Sequence, residues 1–202
     1  MIIGLFGFIG SGKTSAANVL EDSGFVPLSF ASSLKDATSA IFGWDRDMLE
    51  GDTIESRKFR EQVDPYWSEK FGKPVTPRWM LQHFGTNICR NHLLESIWLS
   101  SLERKISKYE NVVVTDVRFL NEIEFLRSID AKFLQIDRTS AEPSWLKLYK
   151  RWDLETFEDF AKLNGIHESE YDWLTSPVKR CIIDNNGDLD HLKRQLTEWV
   201  AT

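Results

Sequence analysis

Along most of the chain, short apolar runs alternate with segments whose apolar residues recur at helical spacing. Among these runs, the first is continuous and apolar throughout, which is typical of a parallel strand buried on both faces. The runs cover residues 2–7, 25–30, 111–116, 131–137 and 178–184. This order of strands and helices predicts an α/β fold, a three-layer sandwich with a five-stranded parallel sheet.

Apolar periodicity and cap residues predict the helices between these strands. The first covers 13–22 and is capped at Gly24, and a later one opens at the cap residue Thr76 and should end at Gly85. The next helix is predicted over 92–106 with a buried stripe at Leu94, Trp98 and Leu102. Further helices are predicted over 31–42, 119–129 and 188–200.

Two segments interrupt this alternation. Residues 43–76 are broken by Pro65, Gly72 and Pro74, and only a charged stretch at 55–61 predicts a short exposed helix. Such a segment is typical of a region that closes over a substrate, so we expect it to lie outside the core. Residues 139–177 form a second insertion, rich in Trp, Lys and Glu. We predict a single domain, 1–202, that carries both insertions.

The first strand leads into Gly7-Phe8-Ile9-Gly10-Ser11-Gly12-Lys13-Thr14, which matches the phosphate-binding pattern G-x-x-x-x-G-K-[ST]. Glycines at these places let backbone N–H groups curl around phosphate oxygens. Lys13 supplies a positive charge for the β- and γ-phosphates, and the Thr14 hydroxyl is a candidate ligand of Mg²⁺. We therefore predict a nucleoside triphosphate site formed by Gly10, Ser11, Gly12, Lys13, Thr14 and Ser15.

Composition narrows the class of protein. The chain has 202 residues, 42% of them apolar, and a net charge of −6. This balance is globular and argues against a broad nucleic-acid-binding face. No run approaches 18 consecutive apolar residues, so we expect no membrane span. Cys89 and Cys181 lie in apolar or strand-like contexts, and we interpret them as buried, reduced thiols of a cytoplasmic protein.

Functional side chains are predicted at the carboxyl ends of the strands, where open parallel sheets bind ligands. Gly7, Asp116 and Arg138 follow strand ends and should meet in one cleft. Asp116 can orient an acceptor oxygen or hold a water bound to Mg²⁺, and Arg118 can bind an acceptor phosphate through two hydrogen bonds. A structural ion pair between Asp116 and Arg118 is the alternative.

Other patterns separate the classes of phosphate-loop protein. The guanine-binding pattern N-K-x-D is absent, and Asp184-Asn185-Asn186-Gly187 follows the last strand and is interpreted as a turn. Small-molecule kinases instead close cationic segments over two phosphoryl groups. The insertions and their borders carry such cations: Arg57, Arg60, Arg78, Arg138, Lys147, Lys150 and Arg151.

A further set of short patterns runs in order along nearly the whole chain. They are Leu49-Glu50-Gly51-Asp52, Glu55-Ser56-Arg57, Phe59-Arg60-Glu61, Thr76-Pro77-Arg78, Leu81-Gln82, Gly85-Thr86, Arg90, Asp116-Val117-Arg118-Phe119, Asn121-Glu122 and His167-Glu168-Ser169-Glu170. This combination resembles the bacteriophage-type deoxynucleoside monophosphate kinases. The resemblance implies a P-loop kinase fold and transfer of the ATP γ-phosphoryl group to a deoxynucleoside monophosphate, with Mg²⁺ required. It also implies a place in deoxynucleotide biosynthesis.

The resemblance also implies roles for individual residues. It makes 43–76 an acceptor-side insertion and 139–177 a lid, although the lid is longer and more aromatic than a minimal one. Which lid cation reaches the transferring group is therefore open. The catalytic residues would be Lys13, Asp116, Arg118 and Arg138. Thr14 and Asp116 would bind the metal ion. The acceptor would be bound by Arg57, Arg60, Arg78, Gln82, Thr86, Arg90, Arg118, His167 and Glu170.

Two alternative functions stay open at this stage. One is another small-metabolite kinase, such as a dephospho-coenzyme A or nucleoside kinase, and the other is a non-kinase module that binds a nucleoside triphosphate. The accepted bases, the choice of deoxyribose over ribose and the oligomeric state, a homodimer included, are not fixed. We expect a small-molecule substrate, neither nucleic acid nor membrane as partner, and a cytoplasmic location, in the host if the chain is viral.

Overall fold

The structure, a computed structural model, describes residues 1–201 and contains two compact units. Unit 1 consists of Met1–Ser29 and the chain from Ile106 onward, and unit 2 consists of Phe30–Lys105. The single domain 1–202, with insertions at 43–76 and 139–177, stays a prediction. No helix within residues 1–201 is both long and apolar enough to cross a membrane.

A five-stranded sheet forms the centre of unit 1, and its strands all run parallel in the order β2-β3-β1-β4-β5. In register, Gly4 of the central strand lies beside Val114 on one side and Phe133 on the other. The strands are β1 (Ile2–Phe6), β2 (Val26–Leu28), β3 (Val112–Val114), β4 (Lys132–Asp137) and β5 (Cys181–Asp184). The predicted parallel sheet is confirmed, and each of its five strands is shorter than the apolar run that predicted it.

Helices cover both faces of this sheet. Alternation along β1 sends Ile3 and Leu5 to one face, where they share a buried cluster with Leu20 and Leu192. Those two residues belong to α1 (Lys13–Asp22) and α10 (Leu189–Val200). On the other face, Phe6 stacks on Phe133 with ring centroids 5.4 Å apart, below α7 (Leu120–Ser128). The predicted three-layer α/β sandwich is therefore confirmed.

The expectation that 43–76 is irregular and outside the core is wrong. This segment of unit 2 contains a 3-10 turn (Asp47–Leu49) and two helices, α3 (Ile54–Glu61) and α4 (Pro65–Phe71), which follow α2 (Ser32–Phe42). Its residues Trp44, Leu49 and Val75 are buried together with Met80 and Leu81. The Trp44 indole N–H donates to Asp64 (2.7 Å), so burying this large ring leaves no polar atom unpaired.

The prediction that a helix ends at Gly85 is also wrong. Helix α5 (Pro77–Gln82) continues directly into a π-helix, His83–Arg90. Gly85 is needed there for close packing, because an added Cβ would lie 2.8 Å from Leu34 Cδ2. Its carbonyl accepts a hydrogen bond from the Trp98 indole (3.1 Å). The following helix, α6 (Ile97–Ile106), begins five residues later than predicted, and Leu94 is exposed.

The rest of unit 1 lies between β4 and β5. Two helices, α8 (Leu146–Tyr149) and α9 (Leu154–Leu163), are joined to short 3-10 turns at Thr139–Ala141, Glu168–Glu170 and Asp172–Thr175. Phe157, Ala161 and Tyr171 form a buried cluster of their own, so this insertion too has an apolar interior. Cys181 is exposed on the edge strand β5, which corrects the prediction of two buried thiols, and only Cys89 is buried.

Candidate active site

The phosphate-binding loop, residues 7–14, connects β1 to the N-terminus of α1 as the sequence predicts. Gly7, Gly10 and Gly12 have positive φ angles of 144°, 83° and 99°, which side-chain-bearing residues rarely adopt. The ammonium of Lys13 donates to the carbonyl oxygens of Gly7 (2.7 Å) and Phe8 (2.9 Å). The loop therefore curls around its own lysine, with the cation at the place expected to receive phosphate.

Several charged groups act on Lys13. Burial, and then the nearby charge of Arg118, lower the pKa of Lys13 from 10.5 to about 8, whereas the carboxylates of Glu170 and Asp116 raise it. Lys13 thus remains protonated near neutral pH but is unusually easy to deprotonate. An arriving phosphate would stabilise the protonated form, because its negative charge opposes both causes of the shift.

Arg118 faces the segment that carries the H-x-S-E pattern. Its guanidinium NH1 lies 3.5 Å from both Glu170 Oε1 and Ser169 Oγ. Ser169 Oγ is in turn 3.0 Å from His167 Nδ1, and the Ser169 N–H donates to the same ring nitrogen (3.2 Å). His167 therefore positions Ser169, and Ser169 and Glu170 border the guanidinium.

The loop that carries Arg118 is fixed at the N-terminus of α7. The buried Glu122 carboxylate accepts hydrogen bonds from the backbone N–H groups of Arg118 (2.8 Å) and Phe119 (3.1 Å). Asp172 accepts another from the backbone of Leu120 (2.8 Å). These acceptors satisfy amides that a helix N-terminus leaves unpaired, and they tie the 167–175 segment to α7.

The buried side chain of Trp173 packs under both the phosphate-binding loop and the H-x-S-E segment. Its ring stacks on Phe6 and meets Phe8 edge-on, with centroid distances of 5.7 Å and 5.3 Å. Its indole N–H donates to the Glu170 carbonyl (3.1 Å). The phosphate-binding loop and the H-x-S-E segment thus share one aromatic support. They line a single cleft with the residues Gly7, Phe8, Ile9, Lys13, Val117, Arg118, Ser169, Glu170 and Trp173.

The other predicted residues of unit 1 lie around this cleft or near it. Asp116 is half-buried and close enough for its charge to act on Lys13. Thr14 and Ser15 are exposed in the first turn of α1, and Arg138 is exposed after β4. Arg138 is not among the residues that line the cleft in the described part of the chain. The expectation that it meets Gly7 and Asp116 in one cleft therefore stays a prediction.

The donor set suits Mg²⁺ that arrives with a nucleotide. Within residues 1–201, no group of three or more His, Cys, Asp or Glu is arranged to hold a metal ion. Mg²⁺ is commonly held by one or two protein oxygens together with substrate phosphates and water. One hydroxyl, Thr14, and one carboxylate, Asp116, beside a glycine-rich loop fit that mode of binding.

In unit 2, two predicted acceptor-binding arginines bind their own backbone. Arg57 donates to the carbonyls of Gly51 (3.0 Å) and Asp52 (3.1 Å), and Arg60 donates to that of Glu50 (3.2 Å). These contacts hold the turn before α3. Arg78 forms a salt bridge with Glu61 of α3. Binding of an acceptor by these arginines stays a prediction.

Gln82, Thr86 and Arg90 continue from Arg78 at intervals of four along α5 and the π-helix. A π-helix has more residues per turn than an α-helix, so side chains four apart remain close to one line. Gln82 and Thr86 are exposed and Arg90 is half-buried. The structure thus gives these residues a shared face within unit 2.

Two residues at the site are indicated by no functional motif in the sequence. Trp173 lies within the short 3-10 turn Asp172–Thr175, where no helical or strand periodicity reveals its buried side. Asn185 donates from Nδ2 to the Ser11 carbonyl (2.7 Å) but belongs to a pattern that indicates only a turn. For Asn185, the available signal was its place at the carboxyl end of a strand.

Comparison with known proteins gives two kinds of match. A family model described as deoxynucleotide monophosphate kinase matches residues 50–145, which include every predicted site residue of unit 2 as well as Asp116, Arg118 and Arg138. A protein of Acanthamoeba polyphaga mimivirus, provisionally named a deoxynucleotide monophosphate kinase, is 35% identical over 153 residues, 68% of this chain and 74% of that protein. A deoxynucleoside-5′-monophosphate kinase of Escherichia phage T5 is 42% identical over 73 residues, 34% of this chain and 29% of that protein.

Solved structures match over the whole chain at low similarity. A crystal structure from Thermus thermophilus is 20% identical with a TM-score of 0.49, and covers 100% of this chain and 96% of its own. A dephospho-CoA kinase from Campylobacter jejuni is 14% identical with a TM-score of 0.38, covering 99% and 95%. Scores this low assign no function.

Proposed function

Because this chain belongs to the deoxynucleotide monophosphate kinases, we propose that it transfers the γ-phosphoryl group of ATP to a deoxynucleoside 5′-monophosphate. The products would be ADP and the deoxynucleoside diphosphate. One observation carries the proposal: Lys13 of the phosphate-binding loop and Arg118 line the same cleft, so one cation can serve each phosphate.

The reaction needs little covalent participation from the protein. The bond between the γ-phosphorus and the oxygen bridging to the β-phosphate breaks, and a bond to an acceptor phosphate oxygen forms. That oxygen is already anionic at neutral pH, so no strong base is required. The main tasks are alignment and neutralisation of the charge that spreads over the transferring group.

Lys13 and Arg118 would perform most of that neutralisation. Lys13 exchanges its two carbonyl partners in the loop for phosphate oxygens, which return its pKa toward the usual value. Arg118 offers a planar pair of N–H donors, which suits a phosphate better than a lysine does. Its long 3.5 Å contact with Glu170 is readily replaced by a shorter bond to a phosphate.

Glu170 would set the position of Arg118 before the acceptor arrives. The carboxylate side chain is only 25% exposed, and its residue is anchored by the Trp173 indole. In this proposal Glu170 and His167 orient the acceptor side of the site, and neither receives a proton.

Residues for the triphosphate and the metal follow from the loop. Gly10, Ser11, Gly12, Lys13, Thr14 and Ser15 would hold the phosphates of ATP, and Thr14 with Asp116 would face Mg²⁺. When bound, Mg²⁺ supplies charge neutralisation at the phosphate oxygens.

We assign the acceptor nucleoside to the face formed by Arg78, Gln82, Thr86 and Arg90. The Gln82 amide can both donate to and accept from a base edge, and the arginines can bind phosphate. Arg57 and Arg60, which hold the 50–52 turn, would also contribute to binding the acceptor. Arg138 would act on the transferring group from the start of the 139–177 lid.

A coupled assay of ADP release tests the proposal. Mg-ATP is combined with a panel of deoxynucleoside and nucleoside monophosphates and dephospho-coenzyme A, and a reaction without acceptor and a Lys13→Ala variant serve as controls. We expect turnover with one or a few deoxynucleoside monophosphates and none with Lys13→Ala. ADP release that no acceptor changes would contradict the proposal, as would near-normal turnover by Lys13→Ala.

A further inference from the structure

The turn between β5 and α10, residues 184–187, reaches the phosphate-binding loop through one side chain. Asn185 is only 9% exposed, and its Nδ2 donates to the Ser11 carbonyl over 2.7 Å. Its own backbone N–H donates to the Asp137 carbonyl at the end of β4 (2.8 Å). A side chain 174 positions further along the chain therefore holds the centre of the loop.

The fit between Asn185 and the loop is close. A Cβ placed on Gly12 would lie 2.1 Å from Asn185 Nδ2, and Gly12 already has a φ of 99°. Glycine is therefore required at position 12 for two reasons: it allows the positive φ angle, and it leaves space for the Asn185 amide. Any side chain at position 12 would displace the amide from the Ser11 carbonyl.

The 184–187 turn is held by hydrogen bonds to α10 and to the chain after β4, so the position of Asn185 does not depend on the phosphate-binding loop. The Gln195 side chain on α10 accepts from the Asp184 N–H (3.0 Å) and donates to the Asp184 carbonyl (2.6 Å). Asn186 accepts a hydrogen bond from the Thr139 N–H (2.9 Å). The amide of Asn185 is therefore presented to the loop by α10 and β4.

We propose that Asn185 is a positioning residue that holds the phosphate-binding loop in the shape that accepts a triphosphate. The C=O and N–H groups of a trans peptide point in opposite directions. The hydrogen bond to the Ser11 carbonyl therefore turns the Gly12 N–H away from Asn185 and leaves it available to a phosphate oxygen. The proposal rests on the proposed use of a nucleoside triphosphate, and it assigns a function to a pattern that the sequence indicates only as a turn.

Asn185→Asp tests this role with almost no change in shape. The carboxylate cannot donate to the Ser11 carbonyl and repels it, so the peptide should rotate. Asn18→Asp is the matched control, since it adds the same charge at an exposed position of α1, the helix that follows the loop, and leaves the 184–187 turn unchanged. Affinity for Mg-ATP is measured by equilibrium binding, both Michaelis constants by steady-state kinetics, and amide exchange over residues 7–14 in the nucleotide-free protein.

For Asn185→Asp we expect the Kd and KM for Mg-ATP to rise about tenfold or more, as for a lost buried hydrogen bond. The KM for the deoxynucleoside monophosphate should stay within about twofold, and exchange over residues 7–14 should become faster. Asn18→Asp should change none of these quantities. If Asn185→Asp does not fold, Asn185→Ser, whose hydroxyl is too short to reach Ser11, replaces it in the same comparison.

Two results would overturn the inference: an unchanged affinity for Mg-ATP, or an equal rise in both Michaelis constants, which indicates a general structural role. The proposed function is judged separately on the wild-type protein. A wild-type chain that binds Mg-ATP but phosphorylates no deoxynucleoside monophosphate contradicts that function, and the binding constants still decide the role of Asn185. A wild-type chain that binds no nucleotide overturns both.

Discussion

Neighbouring groups both raise and lower the pKa of Lys13, and the protonation of this lysine should control nucleotide affinity. Its pKa of about 8 lies far below the usual value, so the free protein loses this charge in mildly alkaline solution. Phosphate groups complete their ionisation near pH 6, so the nucleotide itself does not change there. The affinity for Mg-ATP should therefore fall by up to about tenfold per pH unit above pH 8.

Equilibrium binding between pH 7 and pH 10 checks this prediction, with Lys13→Arg as control. A guanidinium stays charged over that range, so the affinity of the variant, although weaker, should not change with pH. An equally steep fall in both proteins would show that another group causes it. The same shift affects folding: the unfolded chain binds more protons between pH 8 and 10.5, so the cost of burying charged Lys13 decreases and stability rises with pH over this range.

Arg118 should matter more to the acceptor than to ATP. Its guanidinium borders Glu170 and Ser169, whereas the phosphate-binding loop is held by its own contacts. We expect Arg118→Ala to lower kcat/KM for the monophosphate by about a hundredfold or more, since a charged hydrogen-bond pair is lost, and to change the affinity for ATP by less than about fivefold. Steady-state kinetics with each substrate varied in turn measures both effects.

Arg127→Ala is the matched control, because this arginine is exposed in the last turn of the same helix, α7. It should leave both substrates unaffected. Unchanged acceptor kinetics in Arg118→Ala would assign Arg118 a structural role. A loss of ATP affinity as large as the loss of acceptor affinity would place Arg118 on the triphosphate side.

At the scale of the element, the N-terminus of α7 links stability to the site. Glu122 is 4% exposed and accepts from two backbone amides, one of which belongs to Arg118. Glu122→Ala should cost about 1–3 kcal/mol of unfolding free energy, because buried amides lose their acceptor. It should also raise the KM for the monophosphate, because the backbone of Arg118 is no longer anchored.

Urea denaturation and acceptor kinetics measure the two effects. Glu124→Ala, an exposed change on the same helix, should alter neither quantity by much. If Glu122→Ala is destabilised but keeps a normal KM for the acceptor, Glu122 stabilises the helix N-terminus without affecting acceptor binding. In that case Asp172, which binds the next amide of the helix, would suffice to hold this end of α7.

At the scale of the whole molecule, paired carboxylates should make the protein sensitive to acid. Burial alone would raise the pKa of Glu50, but the hydrogen bonds and charges of Lys35 and Arg46 hold it below the usual value. Asp36 and Asp64 in unit 2 and Asp153 and Asp184 in unit 1 are lowered as well. Their contribution is complete above the unfolded pKa values, near 4, and disappears as the pH falls through the lower folded values.

Glu50→Gln tests this dependence. We expect the variant to lose about 0.5–1 kcal/mol at pH 7, the size typical of a partly exposed ion-pair network, and to approach the wild-type stability near pH 3. Urea denaturation at several pH values measures the difference, with the exposed Glu69→Gln as control. A difference that stays constant down to pH 3 would show that packing, and not charge, explains the loss.

Local patterns determined much of this protein. Helix α1 has the bounds that its spacing predicts, and the parallel sheet follows from five largely apolar runs that alternate with helical segments, the order that parallel sheets require. The phosphate-binding loop can be recognised from the sequence because positive φ angles require glycine at fixed positions, and Lys13 follows the last of these glycines. Each of these features depends on neighbours within a few residues, and so the sequence alone announces it.

Features that depend on distant partners were decided only by the tertiary structure. In the sequence, Gly85 looks like a residue that ends a helix. In the structure, its lack of a side chain allows close packing against Leu34, and its carbonyl accepts a hydrogen bond from Trp98. Residues 43–76 look irregular because their apolar groups are buried against other elements and not along one periodic face. Asn185 resembles a turn residue until the fold brings it to Ser11. Contacts of this kind are set by the geometry of packed elements, which local composition does not encode.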